Sequence, residues 1–231
     1  MSSFRLVFFI LIPFLSFSQS TFENAEKLYK DEKYALAKPL LLEEIKENAT
    51  NIKALEYLGD IEAKNKSWDK ALVYFQTLKQ LNPKEANYFY KYGGCLGMKA
   101  KESNKFKALA MIDDVKAAFE KAIQINPNHL EARWALIELY LQLPGIVGGS
   151  EKKAQRYAAQ LLAISPVDGY LAKGHIAEYF ERYLEAERNY TTAISVGGSK
   201  TTYQKLANLY KNKMNQPLKA KEVMEKFAHK S

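Results

Sequence analysis

No stretch of this chain alternates strictly between apolar and polar positions. Its apolar residues recur at three- and four-residue intervals, the spacing of one face of an α-helix. The longest run is Phe106, Leu109, Ile112, Val115, Phe119 and Ala122. It predicts one lengthened helix from about Ser103 to Ile125, with Ser103 as its cap. The pattern also repeats on a larger scale. Tyr34-x-x-Ala37 and Trp68-x-x-Ala71 each set an aromatic three residues before an alanine, and Leu41 and Phe75 follow four residues later. The equivalent positions along the chain are Ala37, Ala71, Val115, Ala154, Ala186 and Ala220, at spacings of 34, 44, 39, 32 and 34. Two units therefore carry insertions and one is slightly short.

Proline punctuates the units at Leu81-Asn82-Pro83, Ile125-Asn126-Pro127 and Ile164-Ser165-Pro166. Proline cannot continue a helix interior and pushes its predecessor out of helical geometry. The first helix of each unit carries a large residue followed by a small one, as in Leu58-Gly59, Tyr92-Gly93, Lys173-Gly174 and Leu206-Ala207, with Ala25 serving in the first unit. A small residue there lets the neighbouring helix come close. The fourth unit departs, with Leu136-Ile137 at the small position, which predicts altered helix spacing at that point. This set of marks resembles the tetratricopeptide repeat (TPR) family over residues 20–229, best in the second unit, Ile52 to Glu85. The resemblance implies an all-α fold, a right-handed α-solenoid of about six TPR-like helix-turn-helix repeats. The units would run at about 19–51, 52–85, 86–129, 130–166, 167–199 and 200–231. In such an array each repeat contacts its neighbours and a terminal helix must cap the open end. Pro217 to His229 is expected to do so, with Leu218, Val223 and Phe227 inward.

The first eighteen residues are a different material. Arg5 precedes the apolar run Leu6 to Leu15, and Ser16-Phe17-Ser18 supplies small residues before Gln19. That is the layout of a secretory signal peptide. A run so short, broken by Pro13, does not reach the roughly 20 apolar residues that a membrane span needs. Cleavage is expected between Ser18 and Gln19. The layout is similar to export signals of the Bacteroidota, and the expected destination is the periplasm, the cell envelope or the exterior.

Charge and chemistry change the picture little. The formal net charge is +8, but lysines are interspersed with glutamates at helical spacing, the mark of a solvated helix face rather than of a nucleic-acid surface. Export argues against nucleic acid as well. Cys95, the single cysteine, lies among small residues and reads as a buried apolar side chain. His129, His175 and His229 are far apart in sequence. His175 and Glu178 can share a helix face, but a zinc site needs about three protein ligands. Gly197-Gly198-Ser199-Lys200-Thr201 lacks the glycine before lysine that a phosphate loop requires. No catalytic residue, metal site or cofactor is expected.

The repeat resemblance implies a concave groove lined by the first helix of each unit. Its partner-binding candidates are Glu56, Asp60, Tyr90, Glu131, Trp134, Glu138, His175 and Glu178, with Glu26, Tyr29, Lys53, Asn87, Leu171, Gln204 and Asn208 beside them. Acids outnumber bases on this face. The lysine-asparagine clamp that some family members use for acidic peptide tails has no counterpart, because Glu26 and Asp60 stand at its asparagine positions. A basic or aromatic-basic segment is the expected partner. Tyr90 and Trp134 either anchor it or pack between units. The second insertion, Leu143-Pro-Gly-Ile-Val-Gly-Gly-Ser150, is a turn-rich loop with Ser150 as the next helix cap. Its Ile146 and Val147 either tuck under the loop or form a shaped partner contact. With the long helix, this loop resembles that of a subfamily of exported bacterial repeat proteins. The expected function is a non-catalytic protein-interaction scaffold of the bacterial cell envelope. The alternatives are a hydrolase or metal-dependent enzyme built on the repeats, or a periplasmic holdase-type chaperone.

Overall fold

The structure, a computed structural model, describes residues 21–229. The leader assigned to residues 1–18 lies outside the described residues. The helices are α1 (Thr21–Lys30), α2 (Tyr34–Glu47), α3 (Ile52–Lys64), α4 (Trp68–Leu81), α5 (Ala86–Glu102), α6 (Lys105–Ile125), α7 (Leu130–Gln142), α8 (Glu151–Ile164), α9 (Pro166–Tyr179), α10 (Tyr183–Gly197), α11 (Lys200–Asn212) and α12 (Pro217–Ala228), with one 3-10 turn at Gly145–Val147. No strand occurs among the described residues. Consecutive helices pair into repeats, and the fold class is an all-α solenoid of helical repeats. The chain divides into two compact units, one ending at Leu58 and the other beginning at Gly59 within α3.

The large-small rule has a visible cause. A methyl group added at Gly59 would stand 2.8 Å from the Phe75 ring, and one at Gly93 would stand 3.0 Å from both Ala118 and Phe119. One at Gly174 would overlap the Tyr190 ring. Phe75, Phe119 and Tyr190 lie four residues past Ala71, Val115 and Ala186, the equivalent positions of their repeats, so a small residue on the first helix faces a large one on the second. The fourth repeat inverts the sizes. Ile137 is fully buried, and the position four residues past its alanine is the fully buried Ala158. The bulk has moved from α8 to α7, and exchanges that conserve volume are the ones packed interiors tolerate.

The turns inside the repeats follow the same period. Glu32, Lys66, Glu181 and Asn215 all have positive φ, between 52° and 58°, and each sits five residues before its repeat alanine. After each of them the next N–H closes back on the preceding helix: Lys33 to the Leu28 carbonyl, Ser67 to Glu62, Arg182 to Ala177 and Gln216 to Tyr210. This left-handed stop satisfies helix-end carbonyls. Repeats three and four lack it because they hold the insertions. The first insertion lengthens two helices rather than one, since α5 continues to Glu102. The cap of α6 is Asn104, whose side chain accepts from the Lys107 N–H. Ser103 instead ends α5, its hydroxyl donating to the Lys99 carbonyl.

The predicted long helix forms as α6, but not all of its apolar run is buried, and one expectation about α12 is corrected. Val115, Phe119 and Ala122 are buried, whereas Phe106 is 88% exposed. Each three-residue step turns a helix face back by about 60° at 3.6 residues per turn. Three such steps separate Phe106 from Val115, so the two side chains leave α6 on opposite sides. In α12, Val223 is buried and the Phe227 ring packs 5.3 Å from that of Tyr203, but Leu218 points to solvent. Five residues before Val223, it lies about 140° around the helix from it.

Candidate functional site

The first helices carry polar side chains that meet across neighbouring repeats. In the unit ending at Leu58, Tyr29 and Tyr57 stack at 4.0 Å between ring centres. The Tyr57 hydroxyl donates to Glu26 at 2.8 Å, and Lys30 and Lys53 stand 3.1 and 3.4 Å from the same carboxylate. The Tyr57 hydrogen bond, with Lys30 beside it, holds the Glu26 carboxyl below the usual carboxylate range. Glu56 is half-buried on α3 of the same unit.

In the second unit Lys91 donates to Asp60 at 2.8 Å, joining α3 to α5. Tyr90 is half-buried, and its ring centre lies 5.1 Å from that of His129. His129 caps α7 by accepting from the Ala132 N–H, and its Nδ1 is also 3.1 Å from Glu131. Burial, helped by the neighbouring Arg133 guanidinium, holds the His129 imidazole below its ordinary range. It is therefore neutral near pH 7, and it does not offset the charge of Glu131, whose side chain is 65% exposed.

Trp134 continues this face on α7. Its indole N–H donates to Asp168 at 3.0 Å, and its ring centre lies 6.3 Å from that of His175 on α9. Asp168 is itself held, because the Ser165 hydroxyl donates to it at 2.6 Å. His175 Nε2 stands 2.6 Å from Glu138, and this imidazole is the main cause that lowers the Glu138 carboxyl below its usual range. Gln142 donates to Glu138 from one turn on. The predicted residues Tyr90, Glu131, Trp134, Glu138 and His175 therefore lie along the first helices of the third to fifth repeats, with Asp60 tied to α5 ahead of them. Glu178 does not join them. It accepts the Tyr190 hydroxyl at 2.7 Å, toward α10, while His175 reaches toward α7. Leu171 is buried in the core rather than lining a face. Gln204 and Asn208 are exposed on α11.

Sequence reasoning missed Asp168, Lys91 and His129 as part of this face. A signal for one was present: Trp134 and Asp168 are 34 residues apart, one repeat period, and Ser165-Pro-Val-Asp168 has the form of a capping box. Cys95 is buried, and burial pushes its thiol up to about 11, which keeps it protonated and unreactive. Among the described residues no three His, Cys, Asp or Glu side chains gather as a metal site. No described helix is long and apolar enough to cross a membrane. In the second insertion the two candidates split. Ile146 is 95% exposed, whereas Val147 is half-buried beside Leu143 and Pro144.

This architecture is the tetratricopeptide-repeat fold. A TPR protein from Parabacteroides merdae superposes with a TM-score of 0.64 at 18% identity, over 91% of this chain and 78% of that one. PilW, a widely conserved type IV pilus biogenesis factor, gives 0.65 at 16% identity, over 89% and 90%. YrrB, a TPR protein with an unusual peptide-binding site, gives 0.54 at 16% identity, over 79% and 87%. At the sequence level, the family of the plant-specific mitochondrial import receptor subunit TOM20 matches residues 73–161, from within α4 to within α8. No curated protein matches the chain in sequence.

Proposed function

We propose that this protein is a non-catalytic scaffold of the bacterial cell envelope that holds a peptide or protein segment against the first helices of its third to fifth repeats. The observation that carries this reading is the row Tyr90, Glu131, Trp134, Glu138 and His175. It combines half-buried aromatic surface with Glu131, a carboxylate that no lysine or arginine reaches within ion-pair distance among the described residues. Aromatic side chains provide large contact area at low entropy cost, and binding energy concentrates in a few of them. The segment that suits this row carries lysine or arginine next to an aromatic residue. The peptide-binding site of YrrB and the pilus role of PilW support a scaffold on this fold.

Photo-crosslinking from position 90 in cells, followed by mass spectrometry, identifies the partner. Trp134→Ala is then expected to weaken its binding by about 2 kcal/mol, roughly thirtyfold in Kd, and Glu138→Lys to weaken it through charge. Normal folding of both variants with wild-type affinity refutes the reading. Equal capture of many unfolded chains points to a holdase instead. The envelope location rests on the leader, and the mass of the native protein tests it. A mature chain beginning at Gln19 is expected, and one that retains Met1 overturns export by cleavage.

A further inference from the structure

The two insertions that break the repeat period meet in space. Lys105, Ala108, Leu109 and Ile112 from the added turns of α6 line one side of a cleft of about 340 Å³, and Leu143, Pro144 and Val147 from the glycine loop line the other. The spacing of the α6 residues is that of one helix face. Leu109 on this wall is half-exposed, and Ile146, next to the lining residue Val147 in the loop, is 95% exposed. The loop does not display Ile146 by chance mobility. Val147 and Gly149 both donate to the Pro144 carbonyl, and Ser150 donates to Tyr140 at 3.0 Å. Gly149 sits against the Leu143 carbonyl so closely that any side chain would overlap it. An apolar residue held outward on a pinned loop is pre-organised for contact.

Around this cleft unpaired lysines outnumber uncompensated carboxylates. Of the carboxylates near its lining in sequence, Asp113 pairs with Lys116 at 3.2 Å and Glu151 pairs with Arg182, while Glu102 accepts the neutral Trp68 indole N–H at 2.7 Å and keeps its charge. Lys105 lines the cleft, and Lys101, Lys107 and Lys152 flank it in sequence. None of these four lysines has an acidic partner within ion-pair distance among the described residues. A second copy of the chain would bring the same lysines against each other, whereas an acidic partner would relieve them.

We infer that the cleft between α6 and the 143–150 loop is a docking site for a protein segment that inserts one or two large aliphatic or aromatic side chains and carries aspartate or glutamate beside them. This surface lies apart from the Tyr90–Trp134 row and takes a partner segment of opposite charge. Selection from a displayed library of random short peptides, run in parallel on wild type and Ile146→Asp, tests it. Peptides that pair large apolar residues with acids are expected to be enriched on wild type alone. A peptide so selected should lose about tenfold or more in affinity on Leu109→Asp, the size of one anchor contact. Lys105→Glu should weaken it and should favour its lysine-substituted counterpart. All three positions are at the rim or surface, and unchanged helical content and melting temperature confirm folding. Vesicles of phosphatidylglycerol form the second arm. Absence of the apolar-acidic enrichment, equal binding of acidic and basic peptides, or Ile146-dependent binding to vesicles in place of peptides overturns the inference.

Discussion

Gly169→Ala is expected to destabilise the protein by about 3 kcal/mol, the upper part of the range for forced overpacking, while Gly94→Ala is expected to stabilise it by about 0.5–1 kcal/mol. Both glycines lie inside helices, so the contrast isolates what surrounds them. At Gly94 an added methyl meets nothing within 4 Å, and only the helix preference of alanine remains. At Gly169 it would lie 2.5 Å from Leu162 Cβ and 2.6 Å from the Leu162 backbone nitrogen. A ring can rotate away, but the backbone of α8 cannot move without opening the interface with α9. The cause is the short spacing of 32 residues between Ala154 and Ala186. Four residues join α4 to α5 and α6 to α7, but Ser165 alone joins α8 to α9. Ser165 closes the first helix through the Leu161 carbonyl and caps the second with its side chain. So tight a joint presses the first turn of α9 onto the last turn of α8. Chemical denaturation of the two variants measures the effect. Equal stability of Gly169→Ala and wild type would contradict the close approach.

Deletion of residues 201–231 is expected to expose the helix around Tyr190 and promote aggregation. It removes nearly all of α11 and all of α12, whose Tyr203, Leu206, Leu209, Tyr210 and Val223 share one core with Leu171, Ala177, Tyr190 and Ala193 of the fifth repeat. Tyr190 is fully buried, and its hydroxyl is held by Glu178. Repeat arrays gain stability from interfaces between neighbours, so an uncovered end loses a whole interface at once. An apolar patch of that extent on a soluble chain promotes association. Light scattering and thermal melting of the truncated chain provide the test. A monomeric product with an unchanged melting temperature would show that the last two helices are not the cap.

The legible part of this chain is the part written within one repeat. Leu58-Gly59 and Phe75, or Gly174 and Tyr190, are short-range size relations, and the period that aligns them is visible without coordinates. The turns obey the same period, although the residues that adopt positive φ there are Glu32, Lys66, Glu181 and Asn215, not glycine, so only their position marked them. Burial was not legible where it depends on a helix that the local pattern does not contain. Phe106 belongs to the apolar run of α6 by spacing, yet the run turns away from the core. Leu218 is apolar, but α12 has a neighbouring repeat on one side only, and that side takes Ala220 and Val223.

Sequence by itself determined the helical repeats, the small-against-large pairing, the insertions and which acidic and aromatic residues the first helices carry on their polar face. These follow from side-chain size and helical periodicity, which are local. Tertiary structure alone decided which charges on that face remain available. Glu26, Asp60 and Glu138 receive partners from residues 27 to 37 positions away, whereas Glu131 faces a histidine that burial keeps neutral. It also decided that two insertions more than thirty residues apart enclose one apolar cleft. Ion pairing, burial and cavities depend on atoms brought together by the stacking of repeats, and no window of sequence contains both sides of such a contact.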